Sequence, residues 1–92
     1  MKSLGISPLL VRKQSLTGAR HTMKIARQAA VKGDLRLGVS RAITAAVQAA
    51  IVAAQTGSRD VKHQADQVIQ DARDLIMGII VARAQRRLRK MG

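Results

Sequence analysis

Five cations crowd the end of the chain. In "VARAQRRLRKMG" the residues Arg83, Arg86, Arg87, Arg89 and Lys90 fall between positions 83 and 90, and no acid follows Asp74. Guanidinium groups at this density suit forked hydrogen bonding to phosphate oxygens. Complementing the negative end of a helix dipole would account for one or two cations, not five. A second series, Lys13, Arg20, Lys24 and Arg27, recurs at spacings of seven, four and three. That rhythm places the four on one helix face, beside an apolar seam. No acid occurs among the first 33 residues to pair with them. Both sets are therefore expected to be nucleic-acid-binding residues that contact the phosphate backbone. The chain has no Phe, Tyr or Trp, so it lacks a stacking platform for single strands, and duplex is the expected form.

Base reading is not expected. "GVSRAITAAV", residues 38 to 47, resembles the turn and recognition helix of a helix-turn-helix, with Gly38 at the turn and Val47 inward. Arg41 and Gln48 are its long polar side chains and the rest is mainly Ala, whereas base readout needs several such groups.

Catalytic chemistry has little to work with. His21 and His63 stand far apart in the chain without any Cys, and the residue four after His63 is Gln67. Asp66 would add one carboxylate, and two ligands do not make a metal site. Asp60, Asp66, Asp71 and Asp74 are dispersed as a solvated helix face would be, screened by Lys62 and Arg73. There is no Gly-rich phosphate loop and no nucleophile motif. The expectation is a protein that is not an enzyme, with no catalytic residues, no metal and no cofactor.

The elements that position these residues are helical. "VKGDL" places Gly33 where a helix ends in a left-handed residue, with Asp34 capping the next. "QTGSRDV" repeats that grammar, with Gly57 closing and Ser58 capping. Ser7 followed by Pro8 is a further start signal. The spacing thus predicts an all-α fold of three helices, at about 8 to 32, 35 or 41 to 55, and 59 to 90. The first has an alternative start at Ser15 or Thr17 because of Gly18. The second has one at Ser40, which would leave 34 to 40 as a loop. Leu16, Ala19, Met23, Ala26 and Ala30 give the first helix a thin apolar seam. The second, with Ala at 42, 45, 46, 49, 50, 53 and 54 around Ile43, Val47 and Ile51, is apolar all round and belongs between the other helices or between subunits. In the third, Val61, Ala65, Val68, Ala72, Leu75, Ile79 and Ala82 alternate by four and three, as in a packed seam, with Ile69, Ile76 and Ile80 broadening it.

A chain of 92 residues makes one small domain, residues 1 to 92, with a core of Leu, Ile, Met, Val and Ala alone. Residues 1 to 15 read as a basic arm and 83 to 92 as a basic extension. Such a scaffold is expected to need a partner, as a small helical bundle or extended hairpin packing into a homo-oligomer. Val61, Val68, Leu75, Ile76, Ile79 and Ile80 are the expected oligomer interface. The net charge of +12 is concentrated at the ends: +7 over residues 1 to 33 and +5 over 77 to 92, around a nearly neutral middle. That excess draws polyanions. The leading expectation is a self-associating structural protein that packages nucleic acid without sequence preference, in the cytoplasm, a nucleoid or a virion. Two alternatives stand beside it, an assembly subunit meeting acidic protein partners and a helical protein on an anionic membrane surface. No stretch is expected to reach the roughly 18 to 20 apolar residues of a membrane span. Residues 1 to 30 share the composition of an organellar transit peptide. Pro8 inside Leu4 to Val11 argues against secretion.

Overall fold

Residues 15 to 91 are described by a computed structural model. They form α1 (Leu16–Val31), α2 (Leu35–Gln55) and α3 (Arg59–Met91), with no strand among them. Each helix begins on an oxygen that takes up an otherwise unpaired first-turn N–H. Ser15 Oγ accepts from the Gly18 amide at 2.9 Å, Asp34 Oδ1 from the Leu37 amide at 3.1 Å, and Ser58 Oγ from the Val61 amide at 3.3 Å. The first of these settles the start of α1. Ser15 has extended backbone (φ −117°, ψ 150°), so the helix does not run through from position 8. Ser7, Pro8 and Lys13 lie outside the described residues.

The α1–α2 connection occupies three residues. Gly33, with φ 89°, is the one described residue with a positive φ. Its amide donates to Ala30 O at 3.0 Å, and that of Asp34 to Ala29 O at 2.9 Å, the paired bonds of a glycine-terminated helix. The second connection is different. α2 ends at Thr56, whose backbone is extended (φ −85°, ψ 143°), and Gly57 is not left-handed as expected. Thr56 supplies the turn instead, its Oγ1 accepting from the Ser58 amide at 3.1 Å.

Two ties fix the topology: Arg20 reaches Gln64 and Arg27 reaches Asp71, both 44 positions on. α1 and α3 therefore run in the same direction and α2 runs back between them, packing on both. The contact is tiled with alanine. Ala19, Ala26, Ala42, Ala45, Ala49, Ala65 and Ala72 have no exposed surface, with Met23, Val52 and Val68 buried among them. Ala29 also takes a buried place, while Ala30, expected on the seam, is only half-buried. Small side chains let helix axes come near the close end of the usual 8–10 Å range. Gly38 belongs to that contact. It is buried inside α2, and a Cβ there would sit 3.3 Å from Ala26 O and 3.4 Å from the Ala30 Cβ. Residues 35 to 40, capped by Asp34, are thus helical, neither a loop nor the turn of a helix-turn-helix.

α2 also corrects the reading of membrane spans. Its 21 residues include an 18-residue window of mean hydropathy 1.6, long and apolar enough to cross a bilayer, with 28% of that window buried. Inside the chain its Ala42, Ala45, Ala49 and Val52 face the flanking helices, while Ile43 and Val47 face out.

Two glycine substitutions test this packing in opposite directions. Gly38→Val, which forces α1 and α2 apart, should lower unfolding free energy by about 2 kcal/mol. Gly78→Ala fills open space on α3 and should raise it by about 0.5–1 kcal/mol; urea titration followed by circular dichroism reads both.

Candidate nucleic-acid interface

The two cationic sets have different surroundings. On α1, Arg20, Lys24 and Arg27 are all exposed, but two of them lean toward α3. An Arg20 N–H donates to Gln64 Oε1 at 2.8 Å, and Arg27 forms an ion pair with Asp71 at 3.2 Å. The expectation that no acid would pair with this stripe came from sequence neighbours, and the acid arrives from 44 residues downstream. Both partners of the ion pair are about half exposed, at 56% and 45% of side-chain surface. Such a pair contributes at most about 1 kcal/mol. It draws the guanidinium toward α3 and leaves part of it facing solvent. Lys24 is the member of the stripe with no tie of this kind among the described hydrogen bonds.

On α3 the cations stand clear of the fold. The helix has 33 residues, about 50 Å at 1.5 Å per residue, close to the 52 Å longest dimension of the described chain. α1 and α2 are shorter, at 16 and 21 residues. Ile79 is the last buried side chain, and every residue from Ile80 to Lys90 is exposed. The face that buries Val68, Ala72 and Ile79 continues, at about 100° per residue, onto Arg83, Arg86 and Lys90. Packing thus gives way to charge on one continuous face. Ala82, expected on the seam, already lies in solvent.

The expected oligomer interface is largely consumed inside the chain. Val68 and Ile79 are buried, and Val61, Leu75 and Ile76 pack partly buried against the core. Of the six, Ile80 is the one that is exposed, at 52%.

A further feature was not read from the sequence: an apolar stripe on the other side of the overhang. Met77, Val81 and Leu88 are 57%, 49% and 68% exposed, and with Ala84 they recur at spacings of four, three and four. A shallow groove lined by Ile80, Arg83, Ala84, Arg87 and Leu88 runs along its edge. The signal for it was the repeated four-and-three spacing, masked because the neighbouring seam ending at Ala82 has the same rhythm.

His21 and His63 are exposed on different helices, and no group of three or more His, Asp or Glu side chains comes together among the described residues. Comparison with family models, curated proteins and solved structures finds no match.

Removing the ion pair is a direct test of how little the α1 stripe depends on it. Arg27→Gln and Asp71→Asn should each change unfolding free energy by less than about 1 kcal/mol, read by thermal melts. The Asp71→Asn chain should bind polyphosphate at least as well as the parent, since it frees a guanidinium.

Proposed function

We propose that the chain is a non-enzymatic structural protein that binds nucleic acid through its phosphate backbone and self-associates on it. One observation carries the reading. Arg83, Arg86, Arg87, Arg89 and Lys90 all lie exposed on an unsupported helical overhang whose last acid, Asp74, is two turns back. Four guanidinium groups spread around a rigid rod can meet phosphates on both walls of a duplex groove, and a helix needs no ordering on arrival when it is already formed. Lys24, and the solvent-facing parts of Arg20 and Arg27, extend the cationic surface along the body of the molecule.

The arrangement supports backbone contact over base reading. Gly38, the residue that a helix-turn-helix would need at its turn, is spent on helix packing, and Ala fills most of α2. Packaging or nucleoprotein assembly, in an intracellular or virion setting, is the role that fits a cationic rod without a reading head. An acidic protein surface is the alternative partner for the same rod.

Salt decides between specific phosphate contact and a merely soluble tail. Binding to a 20-bp duplex, read by fluorescence anisotropy, should weaken with a log–log slope of about −4 to −5 for five contacts. Replacing Arg83, Arg86, Arg87 and Arg89 by Gln should reduce the magnitude of that slope by three or more. If the parent chain shows no duplex affinity at low salt, the proposal fails.

A further inference from the structure

The overhang is two-faced. Met77, Ile80, Val81, Ala84 and Leu88 share an arc of about 100°, at about 100° per residue, while Arg83, Arg86, Arg89 and Lys90 lie on the remainder with Arg87 at the border. This arc is turned about 150° from the face that packs on α1 and α2, so the apolar side of α3 switches faces between Ile76 and Ile80. Phosphate binding has no use for such an arc, and neither does the chain's own core.

From this we infer that the stripe is the contact surface for a second copy of the chain, and that the pairing is parallel, in register and controlled by neutralisation of the overhang. It rests on the polyanion reading for that control alone. Three observations select the occupant. First, Met77, Val81, Ala84 and Leu88 fall within about 60° of one another, the narrow seam of paired helices rather than the broad face that seats on a core or bilayer. The absence of Trp and Tyr, the usual anchors at a membrane interface, points the same way. Secondly, the seam is self-complementary. With Met77 and Ala84 on the axis, a parallel partner sets Ile80 beside the partner's Val81, and the Arg87 stem beside the partner's Leu88. Thirdly, the charges just before the overhang match only in that orientation. Arg73 and Asp74, both exposed, come to lie across from each other twice, whereas an antiparallel pair would bring Arg73 against the partner's Arg87.

Parallel pairing also lays two five-cation arms side by side. Helices in contact stand about 8–10 Å apart, comparable to the Debye length of about 10 Å at 0.1 M salt. At low salt that repulsion opposes the seam. Bound phosphates or added salt remove it, so a polyanion gathers the chains that bind it.

Sedimentation velocity of the full chain without nucleic acid tests the seam alone. Raising NaCl from about 0.05 to 0.5 M should convert the 9.9 kDa monomer to a dimer, and inorganic polyphosphate should do so at low salt. Val81→Gln with Leu88→Gln should raise the dimer dissociation constant about a hundredfold, with helicity unchanged because neither side chain reaches the core. Arg73→Asp should weaken the dimer, and adding Asp74→Arg should restore it. A spin label on Gln85→Cys, the sole cysteine, should report a distance under about 25 Å for helices in register. A monomer in every arm, or a dimer indifferent to the glutamine pair, overturns the inference. So does loss of binding to phosphatidylserine vesicles by that pair without any dimer, which assigns the stripe to lipid. Failure of duplex binding alone would sink the nucleic-acid reading and leave the salt-driven dimer standing.

Discussion

Close approach of helices across alanine is the constraint on which this structure depends. Seven alanines without exposed surface fill the contacts among α1, α2 and α3, and Gly38 brings α2 against the carbonyl of Ala26. Burying a methyl group removes little apolar area, so each contact is weak and is offset by the number and proximity of backbone atoms. Larger side chains would separate the axes where Ala42, Ala45 and Ala49 now meet the neighbouring helices, and the bulky Ile43 and Val47 of α2 face outward.

That economy shapes the rest of the molecule. The core spans the length that α1 and α2 provide and ends at Ile79. α3 continues past it because nothing in its sequence breaks a helix: after Gly78 the residues are Ile, Val, Ala, Leu, Gln and cations until Met91, mostly good helix formers. A rod without tertiary support keeps its helicity from propensity and the backbone ladder, with Arg89 and Lys90 placed favourably in its last turn. The charge that makes this end soluble also denies it a place in any apolar contact on that side.

Much of this was legible in the residues. Gly33 and Asp34 announced the first turn because a left-handed position and a side-chain cap each demand a narrow set of residue types. Ser58 announced the start of α3 for the same reason. The alternation of four and three from Val61 to Ile79 identified a packing face. What escaped has physical causes. Ser7 and Pro8 carry a start signal as strong as Ser15, and only Ser15's extended backbone fixes where α1 begins. Gly57 had the type for a left-handed turn, but Thr56 left α2 with ordinary extended backbone, which any residue adopts. Gly38 can mark a turn or a tight helix crossing, and local pattern does not separate them. The partners of Arg20 and Arg27 lie 44 positions away, beyond any periodicity. The interface residues chosen from the third helix were the apolar ones, and those were claimed first by the chain's own fold.

The two connections carry a kinetic consequence. Each joins neighbouring helices through three residues, so α1 with α2 and α2 with α3 can form as local hairpins, at little cost in loop closure and at the fast end of folding rates. The contacts between α1 and α3, marked by Arg20 with Gln64 and Arg27 with Asp71, require both hairpins to exist already. They close the longest loops in the fold, 44 residues each, so the side of the molecule that carries the α1 cations is the one whose contacts cost most in loop closure.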